Sequence, residues 1–515
     1  MVLIARGDAI NRQIINKYKI FKALILGISC IIVPVLIIII DPVHLIVNYN
    51  LELRIGSRLY NILVDDIKAA RFSIYLFNIT NAERFQSGED PKLKVEEVGP
   101  FVFQEYRWFE DLETSEDGKT MAMTPKFRSE FVPEDSLAHP KDVTLTLPNL
   151  SMLASVVLLS NYPGMVQSLY NSVATPMKAI MKMDVHNYLW GYEDPLISLF
   201  NKLTPGLVYF DKIGVLERLY DNQSDYRVVV GATGKDRFKI KSVTKNTALH
   251  SDNFHNDDVS ELIFKDTYEG IGYPPELTPE VPVSLFRVGI CKTFDLQYVR
   301  SKAMEYGGEG LVYTLLSSPY GKEHNPVTKE PYPYGLMDIS KCFYGVPYVI
   351  SKAHFLDADP VLLEGVDGLE PLENSDDYGI VIDRRVAITY NTSMPLQLSL
   401  MMNDVSFNRE TSRFSNITLP LVRANVDQPR MSDGTMLLFY LVYTIMPYTL
   451  LSIEIVLFII GLALIAYAVR SLYFNWSSSN RIIFETPLDK RILSETPSGV
   501  PLISDRSKTS GCILE

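Results

Sequence analysis

The sequence predicts a membrane protein with two transmembrane helices and an α+β ectodomain between them, β-rich and interrupted by one helical insert. Three observations predict it. An uncharged apolar run lies near each end of the 515 residues, and five N-glycosylation sequons fall between the runs. The intervening sequence consists of short Val-, Phe-, Tyr- and Thr-rich stretches punctuated by 30 prolines and 28 glycines. The chain-wide averages, 47% hydrophobic and 21% charged, look globular and exclude disorder, collagen and coiled-coil arrays.

Residues 1–22 form a cytosolic tail. The segment Ala23–Ile40, ALILGISCIIVPVLIIII, has no charge and covers about 27 Å as a helix, enough to cross a thin hydrocarbon core. It exceeds the roughly 7–15 residues of a signal-peptide core, and no small-residue cleavage site follows Ile40. Arg6, Arg12, Lys17, Lys19 and Lys22 precede it against Asp8 alone, which places the N-terminus in the cytosol. The spans are therefore 23–41 and 447–469, bounding an ectodomain over 42–446, and the tail 470–515 returns to the cytosol. Glu454 belongs towards the outer interface, since a mid-bilayer carboxylate costs about 3 kcal/mol or more. Tyr440, Tyr443 and Tyr448 are expected beside it as interfacial aromatics.

Asn78, Asn149, Asn222, Asn391 and Asn416 begin the ectodomain sequons and are expected at the surface. Cys291 and Cys342 are the only ectodomain cysteines. In an oxidising compartment such a pair bonds, which would contribute roughly 4 kcal/mol by loop closure, with two free thiols as the alternative. Residues 42–435 carry 38 basic and 53 acidic residues, a net of −15. That balance excludes nucleic acid as a partner. No G-x-S-x-G, H-E-x-x-H, P-loop or G-x-G-x-x-G occurs, so no enzyme, cofactor or catalytic residue is expected. The stretch His250–Asp258 lacks the glycine of a calcium loop, and no metal site is expected.

Periodicity predicts a helix over Arg54–Phe72, strands between Lys92 and Pro133, and an apolar helical insert over Ser151–Leu203. Further strands are expected at Arg227–Ala232, Phe238–Thr244 and Val281–Val288. Leu396, Leu398, Leu400 and Met402 alternate as one face of a half-buried strand. Lys178 and Lys182 would share a helical face if Pro176 opened a helix, offering two ammonium groups to an anionic headgroup.

Several stretches resemble the class B scavenger receptors, a family that includes the fatty-acid translocase, the high-density-lipoprotein receptor, the lysosomal integral membrane protein and sensory-neuron membrane proteins. They are Phe77-Asn78-Ile79-Thr80-Asn81, Glu97-Val98-Gly99-Pro100-Phe101, Trp190-Gly191-Tyr192-Glu193-Asp194-Pro195, Asp338-Ile339-Ser340-Lys341-Cys342 and Asp367-Gly368-Leu369-Glu370-Pro371. The resemblance covers nearly the whole chain. It implies an antiparallel β-barrel core, a helical-bundle apex at 151–203 and an internal hydrophobic tunnel. It also implies that Cys342 pairs with Cys291 and that lysines at the apex engage ligand. Lys178 and Lys182 do not fall on the family's lysine positions.

The function this implies is a receptor that binds lipids or lipoproteins at its apex and passes lipid to the membrane. Fatty acids, sterols, phospholipids and lipoproteins are the expected partners. A second reading is an endolysosomal sorting receptor that binds a lumenal enzyme through Leu158, Leu159 and Leu169. Its sorting signal would be Leu502-Ile503, although Ser498 stands where an acid is usual. A third is a phagocytic or adhesion receptor. Residence at the cell membrane or the endolysosomal membrane, and homo-oligomerisation, stay open at this level.

Overall fold

The computed structural model describes residues 2–203, 212–221, 226–245, 264–317, 322–370, 378–429 and 431–484, without the side chains of 2–16, 200, 201, 203, 218, 221, 245, 342 and 477–484. Asn222, His250–Asp258, Leu502, Ile503 and the Cys342 side chain lie outside the described residues. The chain divides into two compact units, 1–40 with 450–515 and 41–449.

In the first unit, helix Val2–Ile40 and helix Met446–Phe484 carry the two apolar runs long enough to cross a membrane. They meet at two glycines. A Cβ on Gly27 would lie 2.8 Å from Ile465 Cγ1, and one on Gly461 would lie 2.9 Å from the Gly27 carbonyl oxygen. Backbones approach this closely only where side chains are absent, which is how helices pack when lipid tails remove the hydrophobic incentive.

The second unit is built on a long sheet whose path threads twelve strands. They are β1 Ile67–Ile79, β2 Leu93–Thr114, β3 Thr120–Phe131, β4 Tyr226–Gly231, β5 Ile240–Lys245 and β6 Thr267–Tyr268. Then come β7 Val283–Arg287, β8 Lys292–Ala303, β9 Glu309–Leu315, β10 Gly379–Asp383, β11 Thr389–Met401 and β12 Thr418–Asp427. Each strand pairs with its sequence neighbour, β12 returns to β1, and a Lys239–Tyr268 bridge joins β5 to β6. The result is a nearly closed, mostly antiparallel barrel; the β6–β7 pair is parallel. Strand Tyr348–Lys352 adds beside β11 on the stretch that β10 leaves unpaired.

The helix expected over Arg54–Phe72 is shorter. Ser57 caps it, its Oγ accepting from the Tyr60 amide at 3.1 Å, and the helix runs only Arg58–Val64. Asp65 and Asp66 then place two carboxylates at the negative end of the helix dipole. From Ile67 the chain becomes β1, held on one side by β2 and on the other by β12. Ladder pairing in the middle of a sheet overrides the local apolar period.

The expected helical insert is also mixed. Between β3 and β4, helices Leu150–Leu159, Gly164–Ala174, Val185–Trp190 and Pro195–Leu203 are interleaved with a ribbon of Thr144–Pro148 and Ile180–Asp184. Lys182 lies on that ribbon opposite Thr146, and Lys178 lies in the loop before it. No helix begins at Pro176, so the two lysines share no helical face. Leu145, Leu147, Met181 and Met183 alternate along the ribbon, a period that favours strand over helix.

Strand β11 shows an inversion. Leu400 and Met402 are buried as the alternation predicts, but Leu396 and Leu398 are half-buried while Gln397 and Ser399 are sealed. The sealed face carries a polar cluster. Arg423 grips Glu97 with both nitrogens, Nε to Oε1 at 2.6 Å and Nη2 to Oε2 at 3.0 Å. Its guanidinium lies 3.8 Å over the Tyr75 ring. His354 adds Nε2 to Glu97 Oε1 at 2.7 Å, contacts the Glu370 carbonyl through Nδ1, and donates its backbone amide to Gln397. Burial pushes the Glu97 carboxyl up, but the hydrogen bonds from His354 and Arg423 outweigh it and hold the group below the usual range.

Two outcomes follow. Gly461→Leu overpacks the helix crossing and should cost about 1–3 kcal/mol, read as a lower unfolding midpoint of the detergent-solubilised protein. Glu97 has a folded pKa below its ordinary 4.5, so its stabilisation is complete above that value and fades as pH falls through the lower one. Glu97→Gln should therefore cost on the order of 3 kcal/mol near neutrality. The gap from wild type in thermal unfolding should narrow once the pH is well below 4.5.

Candidate functional site

Residues 143–177 contain no charged side chain, and they build the two longest helices of the insert. Asn149 caps the first, accepting from the Met152 amide at 3.2 Å. Amides pin the second to loops of the barrel: Asn171 donates to the Phe407 carbonyl and accepts from Asn408, both at 2.8 Å. Asn161 donates to the Val327 carbonyl at 2.7 Å. With Tyr170 and Ala174 buried, the opposite side of Gly164–Ala174 projects Met165, Leu169 and Val173 at spacing four, with Val166 and Tyr162 alongside. Met165 is 84% exposed and Leu169 69%. An exposed, charge-free apolar stripe is the kind of surface feature that marks interaction sites.

The second candidate is the barrel interior. Side chains from strands that are not neighbours can meet only by pointing inward, and such meetings identify the inner face. Arg287 of β7 donates Nη2 to Glu105 Oε2 of β2 at 2.5 Å, and Arg107 of β2 pairs with Glu269, which directly follows β6. Along β2 the inner face therefore reads Phe101, Phe103, Glu105, Arg107, Phe109. Cross-strand register extends it: Phe101 pairs with Ile74, Ile74 with Ala424, and Ala424 with Leu396. Phe103 pairs with both Phe72 and Phe131. On this wall Phe72, Phe131, Leu396, Leu398 and Ala424 are half-buried.

The charged residues form a layer next to these rings. Glu105 is fully buried and also accepts from the Tyr220 hydroxyl at 3.0 Å. Tyr220 packs on Trp190, and Trp190 packs edge-on to Phe103. Both guanidinium groups face Phe127, Arg287 at 4.4 Å and Arg107 at 5.1 Å from its centroid. Burial, and next the Arg287 charge, draw the pKa of Arg107 down to about 9, so it stays charged at neutral pH. For Arg287, burial is outweighed by Glu105 and Tyr220 and the pKa is raised.

The structure places the residues singled out in the sequence as follows. Leu169 lies on the exposed stripe, whereas Leu158 and Leu159 are half-buried and pack against the core. Lys178 pairs with Glu410 at 3.0 Å, and Lys182 is exposed on the ribbon. Asn391 and Asn416 are exposed and Asn78 is half-buried. The surface position expected for Asn149 is not found: it is 6% exposed, and its Nδ2 donates to the Lys178 carbonyl at 3.0 Å. A helix cap that holds both ends of its amide is withdrawn from solvent. Cys291 is disulfide-bonded. The stripe residues Met165, Val166 and Val173 were missed, although the charge-free run over 143–177 marks them. The lumenal Glu105 and Arg107 were missed too. Their only signal is a polar pair at period two inside an aromatic strand.

Among curated relatives, scavenger receptor class B member 1 of Sus scrofa is 29% identical over 429 residues, covering 79% of this chain and 81% of the relative. The same receptor of Rattus norvegicus is 27% identical, covering 89% and 91%. Lysosome membrane protein 2 of Homo sapiens is 24% identical, covering 74% and 80%. The sequence model of the CD36 family matches residues 21–472, from the first apolar run through the barrel to the second. With that match, the two apolar helices and the nearly closed barrel in agreement, the chain belongs to the CD36 family, the class B scavenger receptors that its motifs resemble.

Proposed function

We propose that the protein is a lipid receptor that captures lipid or lipoprotein on the apolar stripe of Gly164–Ala174 and passes lipid along the barrel interior to the membrane. The observation that carries this reading is the half-buried apolar wall of Phe72, Phe131, Leu396, Leu398 and Ala424. Close-packed cores bury such residues completely, and a wall that keeps accessibility while facing inward suits a conduit for acyl chains, each buried CH₂ gaining about 0.8 kcal/mol. Membership in a scavenger-receptor family supports receptor work over catalysis. The relatives named lysosome membrane protein 2 favour a second reading, in which the same stripe, Leu169 included, docks a lumenal protein in the endolysosomal system.

Both termini face the cytosol in this reading, as the basic flank of the first span indicates. Cys291 bonds to Cys342, and glycans sit on the accessible sequons, foremost Asn391 and Asn416. Peptide mapping without reductant should recover a Cys291–Cys342 cross-linked peptide. Recovery of Cys342 as a free thiol would overturn the pairing.

Two variants separate capture from passage. Leu169→Lys with Met165→Lys puts charges on the stripe; being exposed, these sites should change stability by only about 0.5 kcal/mol, while lipoprotein binding to expressing cells falls. Ala424→Phe, inserted between Leu396 and Ile74, should leave surface expression and binding intact and abolish uptake of labelled lipid. Undiminished uptake in Ala424→Phe would sink the conduit.

A further inference from the structure

The barrel unit is tied at both of its chain ends to one turn. The chain enters the unit at Asp41 and leaves it at Thr449. Arg385, in the turn between β10 and β11, pairs with Asp41 at 2.7 Å. Asp383, which opens that turn, accepts the Tyr443 hydroxyl at 2.5 Å and the Tyr306 hydroxyl at 2.7 Å. Thr444 donates to the Tyr306 carbonyl at 3.0 Å. The segments that lead to both apolar runs therefore depart from the same end of the barrel.

Helix Pro42–Leu51 lies across that end. Near its start His44 reaches Glu276 at 3.3 Å, and the neighbouring Leu277 amide donates to the Arg384 carbonyl. Past its last turn the Leu53 amide donates to the Ala232 carbonyl, and Arg237 reaches Asn48 at 3.5 Å. Ala232 and Arg237 belong to the turn that follows β4. Every pairing from β10 through β11, β12, β1, β2 and β3 to β4 is antiparallel, so β10 and β4 run the same way. The turns after them share one end of the barrel, half the ring apart.

This helix has two apolar faces and no charge: residues 42–51 hold no Asp, Glu, Lys or Arg. Val43 and Val47 are buried, while Leu45, Ile46 and Tyr49 on the opposite side are 53%, 48% and 59% exposed. Only Asp41 separates it from Ile40, the end of the first apolar run. Asp41, at φ 42° and ψ 78°, ends one helix and caps the next by accepting from the His44 amide at 3.1 Å. An uncharged apolar face tethered this closely to a membrane span has a partner within reach. We infer that Leu45, Ile46 and Tyr49 are seated in the leaflet nearest the barrel, with the helix lying in the plane of the membrane surface and a lipid surface as its partner. Tyr49, with the Arg54 guanidinium 3.7 Å over its ring, then takes the headgroup level where aromatic rings collect. Because the face is uncharged, its seating depends on apolar burial and is indifferent to anionic lipid and to salt. The seat holds whether or not lipid passes through the barrel.

The test places the full-length protein in phosphatidylcholine nanodiscs, one copy per disc. Hydroxyl-radical oxidation compares Tyr49 with Tyr162 of the insert, which the structure leaves similarly exposed at 59% and 55%. Tyr49 should oxidise several-fold more slowly, and equal rates overturn the inference. Nitroxide labels on Leu45→Cys, Ile46→Cys and the exposed Lys182→Cys, in a Cys30→Ser/Cys512→Ser background, identify what shields the face. At the first two positions collisions with oxygen, which concentrates among acyl chains, should exceed those with a water-soluble nickel chelate, and the order should reverse at Lys182→Cys. Labels at 45 and 46 reached chiefly by nickel show water at the face, and labels reached by neither reagent show protein; either result overturns the inference. Adding phosphatidylserine or salt should change neither readout, and loss of shielding on either addition overturns seating by apolar burial. The tyrosine comparison uses the unaltered chain, so it decides even where a label disturbs the fold.

Discussion

Closure of the sheet is the constraint from which the rest of the ectodomain follows. Once β12 returns to β1 and Lys239 bridges to Tyr268, every second side chain on each strand is committed to one interior. About eight strands enclose a space that side chains just fill; the twelve-strand path here is wider. Two things reach across it. One is the set of long side chains that meet between distant strands, Glu105 with Arg287 and Arg107 with Glu269. The other is the insert, which sends Trp190 and Tyr220 onto Phe103 and Glu105.

The same commitment explains the inversion on β11. With Leu396 and Leu398 turned to the lumen, Gln397 and Arg423 must face outward, and the chain covers them instead of leaving them wet. His354 seals that side through Glu97 and Gln397, and the Val366–Asp367 pairing with Leu93–Lys94 closes the edge. Burial of polar groups is tolerable there because each has a partner. Inside the barrel the partners run short among the described residues. The two polar clusters of β2 differ in this respect: the outer one is saturated, and the inner one is not.

This difference also decides what the sequence disclosed. The motifs that carry the family resemblance are the saturated places. Asn81 of the FNITN stretch bonds Asp90, the Lys92 carbonyl and the Lys94 amide; Glu97 of EVGPF holds Arg423; Asp338 of DISKC caps Ser340. Trp190 of WGYEDP stacks at the lumen, and Glu370 of DGLEP receives His354. Spans, strands and family could be read because periodicity and local hydrogen-bond chemistry leave marks on short stretches of chain. The helix over Arg54–Phe72 and the shared face of Lys178 and Lys182 could not be read correctly, since sheet pairing from residues far along the chain decides both. Glu105 and Arg107 carried no motif, because their partners lie on β7 and after β6.

Holding four charges inside a barrel is a poor route to stability. Desolvation of a buried pair cancels most of its attraction, and apolar replacements of similar volume serve the fold as well or better. Phe101, Phe103 and Phe109 show that β2 accommodates rings at every other inward position, so a continuous apolar wall was within the reach of this strand. What the charged residues do supply is a tie across the barrel: Glu105 with Arg287 and Arg107 with Glu269 fix β2 against β7 and the end of β6.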